Sequence, residues 1–260
     1  MNSTIHTAST HPSEIAPRSR SDSLRAQHHR YFSTTLADSK ALKEAAYALR
    51  YQVYCLERKF EKAEEHPSGL EIDAYDAHSI QGVLFHHATR GAIGSVRMIL
   101  PIAGSYESFP VAALLRNSSL NLANHVNPAQ TIEVSRFAIS KEFRRRKSDE
   151  AGGLEFSPTH AGRDANLAFL SLLQFVLRES IQRDMLFWTA LMEPKFLRLL
   201  ARMGVCYTPV GQLVMHHGVR QPCYCYLPDM LAMARRLNSH CWEVLTDGGM
   251  LEDMLAARLS

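Results

Sequence analysis

Three arginines set into apolar surroundings limit what this chain can fold into. Arg50 sits in a helical pattern among Ala46, Leu49 and Val53. Arg97 sits in a strand pattern among Ile93, Val96 and Ile99, and Arg136 follows the apolar run that contains Ile132 and Val134. A buried guanidinium is costly unless a carboxylate meets it. Any fold that packs these three segments must therefore bring acidic side chains to them. The acidic residues that stand out are Glu71, Asp73 and Asp76, gathered around Tyr75. Charges from separate elements that neutralise one another around a cleft would make a site; the same charges without a cleft would make a structural network. The sequence leaves both readings open.

The rest of the pattern is that of a mixed sheet with helices on its faces. Ser39 or Asp38 can cap a helix whose apolar positions Leu42, Ala45, Ala46, Leu49, Val53 and Leu56 keep helical spacing. On it, Arg50 and Tyr54 share a face. Residues 79–86 and 92–100 read as a pair of strands joined by a turn at Thr89-Arg90-Gly91, and residues 131–139 as a further strand. Asp164 can cap an apolar helix that runs to about Arg183. Residues 185–191 read as a buried strand, 193–203 as a helix closed by Gly204, 212–216 and 223–227 as late strands, and 228 onward as helices. Residues 1–30, rich in Ser, Thr, His and Arg, read as a disordered tail before one domain spanning 31–260. Residues 140–163 form a long polar segment of the kind that is usually functional or mobile.

Composition excludes several function classes. No run of 18 apolar residues is present, so no transmembrane helix is expected. The first residues lack the apolar stretch of a secretory signal, which makes a cytoplasmic protein the expectation. A formal net charge of +3 is too small to argue for nucleic acid. Five cysteines do not make a disulfide framework and read as reduced thiols. His216-His217 with Cys223-x-Cys225 is a poor metal constellation, because adjacent histidines on a strand point to opposite faces; no metal is expected.

Glu133 and Arg136 raise a sharper geometric question. Residues three apart on a regular strand face opposite sides of the sheet. If both serve one site, the strand must carry a bulge or pull away from its neighbour between them. The basic run Arg144-Arg145-Arg146-Lys147 follows directly; its default reading is a solvated basic loop, and only in a thioester-using enzyme would it suit a phosphopantetheine phosphate or an acidic carrier protein.

Taken in order, Arg50, Tyr54, Phe60, Glu71-x-Asp73-x-x-Asp76, Arg97 in Gly94-Ser95-Val96-Arg97, and Glu133-x-x-Arg136 resemble the pattern of acyl-homoserine-lactone (autoinducer) synthases and N-acyl amino acid synthases. Residues 132–138, Phe143-Arg144-Arg145-Arg146 and the stretch from His217 to Tyr224 are similar to one branch, the acyltransferases associated with PEP-CTERM/exosortase systems. The resemblance implies an α+β GNAT-like fold with splayed strands, and an acyl-carrier-protein or CoA thioester as co-substrate without a bound cofactor. It implies that a small amine, an amino acid or related metabolite, takes up the acyl group. On this reading Glu133, Glu71 and Arg136 are the catalytic candidates. Arg50, Tyr54, Phe60, Asp73, Asp76 and Arg97 are the substrate-binding candidates, and residues 144–147 meet the carrier. Autoinducer synthases usually carry tryptophan where Phe60 stands, near the S-adenosylmethionine site, so the expected acceptor is an amino acid or another amine instead. An autoinducer synthase using S-adenosylmethionine, and a non-catalytic sensor of lipid or carrier, are the alternatives.

Overall fold

The computed structural model describes residues 23–115, 122–141, 143 and 160–260. The basic run at 144–147 and most of the polar segment at 140–163 lie outside them. The described residues open with helix α1 (Leu24–Tyr31) and strand β1 (Phe32–Leu36), followed by α2 (Lys40–Arg50). The expected tail is thereby corrected for residues 24–30. They form a helix capped by Ser23 and tied down where Arg25 and His29 reach Asp247 at 2.7 and 2.9 Å.

The hairpin β2 (Ser79–His86) and β3 (Gly91–Ile99) pairs with β4 (Thr131–Ile139). The short helix α3 (Pro110–Leu115) lies between β3 and β4 in the chain. After α4 (His160–Gln182) come β5 (Phe187–Met192), α5 (Pro194–Arg202), β6 (Thr208–Pro209), β7 (Val214–Met215) and β8 (Val219–Tyr226). The helices α6 (Leu227–Leu237), α7 (Ser239–Leu245) and α8 (Met250–Leu259) end the chain. Asp164 falls within α4, which starts earlier than a cap there would allow.

The sheet order is β1-β2-β3-β4-β5-β8-β6, with β7 paired to β8. All neighbours run antiparallel except β4 and β5, which run parallel. Alternation along β2 shows that both faces are covered. Val83 and Phe85 pack with Leu42 and Ala46 of α2, whereas Leu84 joins Phe175 and the rest of α4 in the main core. That double cover explains why β3 is buried almost along its length, as its near-continuous apolar sequence requires.

The helix expected across residues 39–56 changes form partway. α2 ends at Arg50, and Tyr51–Glu57 continues as a π-helix, a rare form that is frequent at functional sites. At the junction Arg50 is fully buried. Its Nε donates to Glu71 Oε2 at 2.5 Å, and its two terminal nitrogens donate to the two oxygens of Asp76 at 2.6 and 3.0 Å. This bidentate pairing clamps the acidic loop to α2. Burial opposes the charge on Arg50, but Asp76 and Glu71 outweigh it and hold the guanidinium pKa above its usual value.

Two substitutions test this frame. Arg50→Met strands two buried carboxylates and should cost about 3–5 kcal/mol in urea denaturation. Gly204, at φ +82°, closes α5 with its Cα against the backbone of α6, so that an added Cβ would lie 2.6 Å from Ala234 Cα. Gly204→Ala should cost about 2–3 kcal/mol, through overpacking and a left-handed backbone that only glycine adopts freely, and lower the melting temperature by several degrees.

Candidate active site

The site begins with a fault in β4. Arg97 stands opposite Ser135 and Ser95 opposite Ala138, so two steps along β3 match three along β4. The surplus residue is at Arg136, whose φ is +46°. This is the bulge that the Glu133–Arg136 spacing demands, with arginine in the left-handed position that glycine usually fills. The bulge also reverses the parity of the strand. Before it, Ile132 and Val134 face the α4 core. After it, Phe137 and Ile139 face that core, and Ala138 packs instead with Leu49 and Val53 of the α2 layer. Glu133 and Arg136 are thereby brought to one cavity.

The strain at Arg136 is offset by ion pairs. Its guanidinium donates to Glu71 Oε1 and Glu61 Oε1 at 2.9 Å and to Asp73 Oδ2 at 3.3 Å, and lies 5.2 Å from the Tyr54 ring centroid. Arg97 donates from Nε to Ser135 Oγ at 2.9 Å and from Nη1 to Asp73 Oδ1 at 2.6 Å. Asp73 and Asp76 form a capping box on the turn Ala74–His78, which fixes the loop that presents them. Glu71 is buried between Arg50 and Arg136. Burial pushes its pKa up, but the two arginines win and hold the acid below the usual carboxylate range.

Beside this network the sheet opens. β4 and β5 pair only through Thr131↔Phe187, Ile132↔Trp188 and Glu133↔Thr189. Past Glu133, β4 stays with β3 and β5 stays with β8, leaving a wedge between them. The wedge belongs to a cavity of about 810 Å³. One end is apolar, lined by Phe137, Phe169, Leu173, Phe196 and Leu200. The other is polar, lined by Glu133, Arg136, Asp73, Arg97, Glu61 and His217.

Glu133 marks the point where the strands part. It is 2 % exposed, and its Oε2 accepts the Val111 N–H at 2.9 Å. Burial pushes its pKa up to about 8, only partly countered by the Val111 N–H and the charges of Arg97 and Arg136. A carboxyl group with that pKa, in a cleft and paired with no cation among the described residues, can take up and release a proton near neutral pH.

Of the residues singled out from sequence, Glu133, Arg136, Tyr54, Phe60, Asp73 and Arg97 line the cavity. Arg50, Glu71 and Asp76 are buried beneath it, where they support the lining rather than face a ligand. The basic run at 144–147 lies outside the described residues. Sequence reasoning missed Glu61, Arg58, Arg220 and the hairpin at His217, which reach the cavity only because the π-helix and the β7–β8 turn point inward. The one hint was the stretch from His217 to Tyr224. Cys223 and Cys225 are buried in β8, and Cys223 donates its thiol to the Ala190 carbonyl.

The profile described as Acetyltransferase (GNAT) domain matches residues 49–151, from the end of α2 to beyond β4. No protein of curated function matches the chain by sequence. Several solved structures share its fold. FeeM, an N-acyl amino acid synthase from uncultured soil microbes, is 15% identical with a TM-score of 0.52, over 80% of this chain and 97% of its own. BjaI, a CoA-dependent acyl-homoserine lactone synthase solved with SAM and isopentyl-CoA, is 17% identical with a TM-score of 0.53, over 88% of this chain and 99% of its own. The AHL synthase LasI is 21% identical with a TM-score of 0.50, over 74% of this chain and 88% of its own. The bulged β4, the opened β4–β5 pair and the profile match over residues 49–151 agree on the fold: a GNAT-like α+β sheet opened between two of its strands.

Proposed function

We propose that the protein transfers a fatty acyl group from an acyl-carrier-protein or CoA thioester to the nitrogen of a small amine, an amino acid or related metabolite. The setting implied by the sequence is a bacterial PEP-CTERM/exosortase system, with the enzyme in the cytoplasm. The observation that carries this reading is Glu133, a buried carboxyl group with a near-neutral pKa at the point where an apolar wedge meets a charged pocket.

The acyl chain occupies the wedge between β4 and β5, against Phe137, Phe169 and Leu173, which leaves the thioester carbonyl beside Glu133. An acceptor ammonium cannot attack until it gives up a proton, and Glu133 takes it, directly or through a water. Nitrogen adds to the carbonyl carbon, and backbone N–H groups at the strand opening stabilise the oxyanion. Collapse breaks the C–S bond, the nitrogen loses its second proton, and the thiolate leaves as the thiol. Holding both substrates in one cleft supplies a large share of the rate. Glu71, already held as a carboxylate by two arginines, is a poor base and instead positions Arg136. The run at 144–147 is the proposed contact for the carrier's acidic surface or the phosphopantetheine phosphate.

Glu133→Gln keeps the size of the side chain and an oxygen for the Val111 N–H, so the fold should survive while kcat falls by about 100- to 10,000-fold. Near-wild-type turnover would remove Glu133 from the role. The reactive form is the carboxylate, so kcat/KM for wild type should climb with pH and level off above about 8, and this limb should vanish in Glu133→Gln. Product identity is read by mass spectrometry after incubation with a long-chain acyl-carrier protein and a pool of amines. An N-acyl amino acid is expected; acyl-homoserine lactone with methylthioadenosine would indicate the autoinducer reaction instead, and binding without any product would indicate a sensor.

A further inference from the structure

The polar end of the cleft contains two arginines to which the mechanism assigns no task. Arg97 and Arg136, the obvious candidates to meet an anionic substrate, are occupied by Asp73, Glu71, Glu61 and Ser135. Arg58 forms no ion pair with any described residue, and its guanidinium lies 5.7 Å from the Phe60 ring centroid. Arg220 approaches the same ring at 5.5 Å. It is 12% exposed and held in place, Nη2 donating to the His217 carbonyl at 2.7 Å and Nη1 lying 3.1 Å from the half-exposed Glu193; its Nε has no partner among the described residues.

The hairpin that carries Arg220 is built at some cost. His217 is at φ +49° and Gly218 at φ +97°, and a left-handed histidine persists only where the surroundings hold it. The turn sets the His217 ring 6.2 Å from Phe60, at this end of the cleft. Five cationic side chains against four carboxylates line the cavity, and Glu133, one of the four, is largely protonated at neutral pH. The cleft as a whole is therefore short of negative charge.

We propose that Arg58 and Arg220, both packed on Phe60, bind a carboxylate of the acceptor, so that the substrate amine belongs to the amino acid class and not to the neutral or simple cationic amines. Planar guanidinium groups on an aromatic face suit a planar carboxylate, which can accept two parallel hydrogen bonds. This rests on the N-acyl transfer proposed above and adds what the acceptor must carry.

The test compares protein amino acids with their α-carboxamides as acceptors, with palmitoyl-CoA and palmitoyl-carrier protein as donors, on the full chain. Wild type should prefer acid over amide by about 10- to 100-fold in kcat/KM, the worth of a charge-assisted pair. Arg58→Gln and Arg220→Gln should each lose most of that preference, through a higher KM for the amino acid. Arg58 is exposed, so its variant tests the proposal even if Arg220→Gln misfolds. Equal use of acid and amide by wild type would overturn the proposal, as would an undiminished preference in the Arg58 variant. A rise in donor KM instead would assign the arginines to a thioester phosphate and overturn it too. If no amine is acylated, the transfer reading fails; saturation-transfer NMR of amino acid against amide then still decides the clamp, selective binding of the acid supporting it and equal binding overturning it.

Discussion

A set of charge pairs inside an apolar body holds the site together. Arg50, Arg97 and Arg136 come from a helix end, a central strand and a strand bulge, and Glu71, Asp73 and Asp76 come from one loop. None of the three arginines is tolerable in its surroundings alone, and together they bring the loop onto the sheet. Asp76 accepts from Arg50 and Gln81, Glu71 bridges Arg50 and Arg136, and Asp73 bridges Arg97 and Arg136. The network therefore fixes the mutual placement of α2, β2, β3 and β4, and with it one wall of the cleft.

The other wall depends on backbone geometry. A strand in register with its neighbours on both sides leaves no room for a ligand between them. Here the bulge at Arg136 reverses the facing of β4, and β5 keeps to β8 once its three residue pairs with β4 are spent. A left-handed arginine is strained, and its contacts with Glu61, Glu71 and Asp73 offset that strain. The ion network and the opening of the sheet thus stabilise each other.

The same burial gives neighbouring carboxylates opposite properties. Glu71 and Asp76 are held ionised by guanidinium groups, which overcome the desolvation that would neutralise them. Glu133 is as deeply buried, but among the described residues it accepts from one N–H and pairs with no cation, so desolvation wins and its proton is retained to near neutral pH. Residues with fixed charge hold the frame, and the residue with labile charge sits where chemistry can use it.

Residue pattern alone was enough for most of the sheet, two of the helices and the pairing requirement. Helical spacing gave α2 and α4, apolar runs gave β2 to β5, and arginines among apolar residues required nearby acids. It also made a break in β4 the condition for Glu133 and Arg136 to serve one site, since they cannot share a face of a regular strand. It did not give β1, five residues whose alternation is too brief to read, or the change from α- to π-helix at Tyr51, which nothing in residue type announces. Nor did it separate the carboxylate that is a base from those that are struts. That distinction depends on how many guanidinium groups lie within a few ångströms of each oxygen, and on whether the strands beside it stay together or part. Both are distances between residues far apart in the chain, and only the tertiary structure set them.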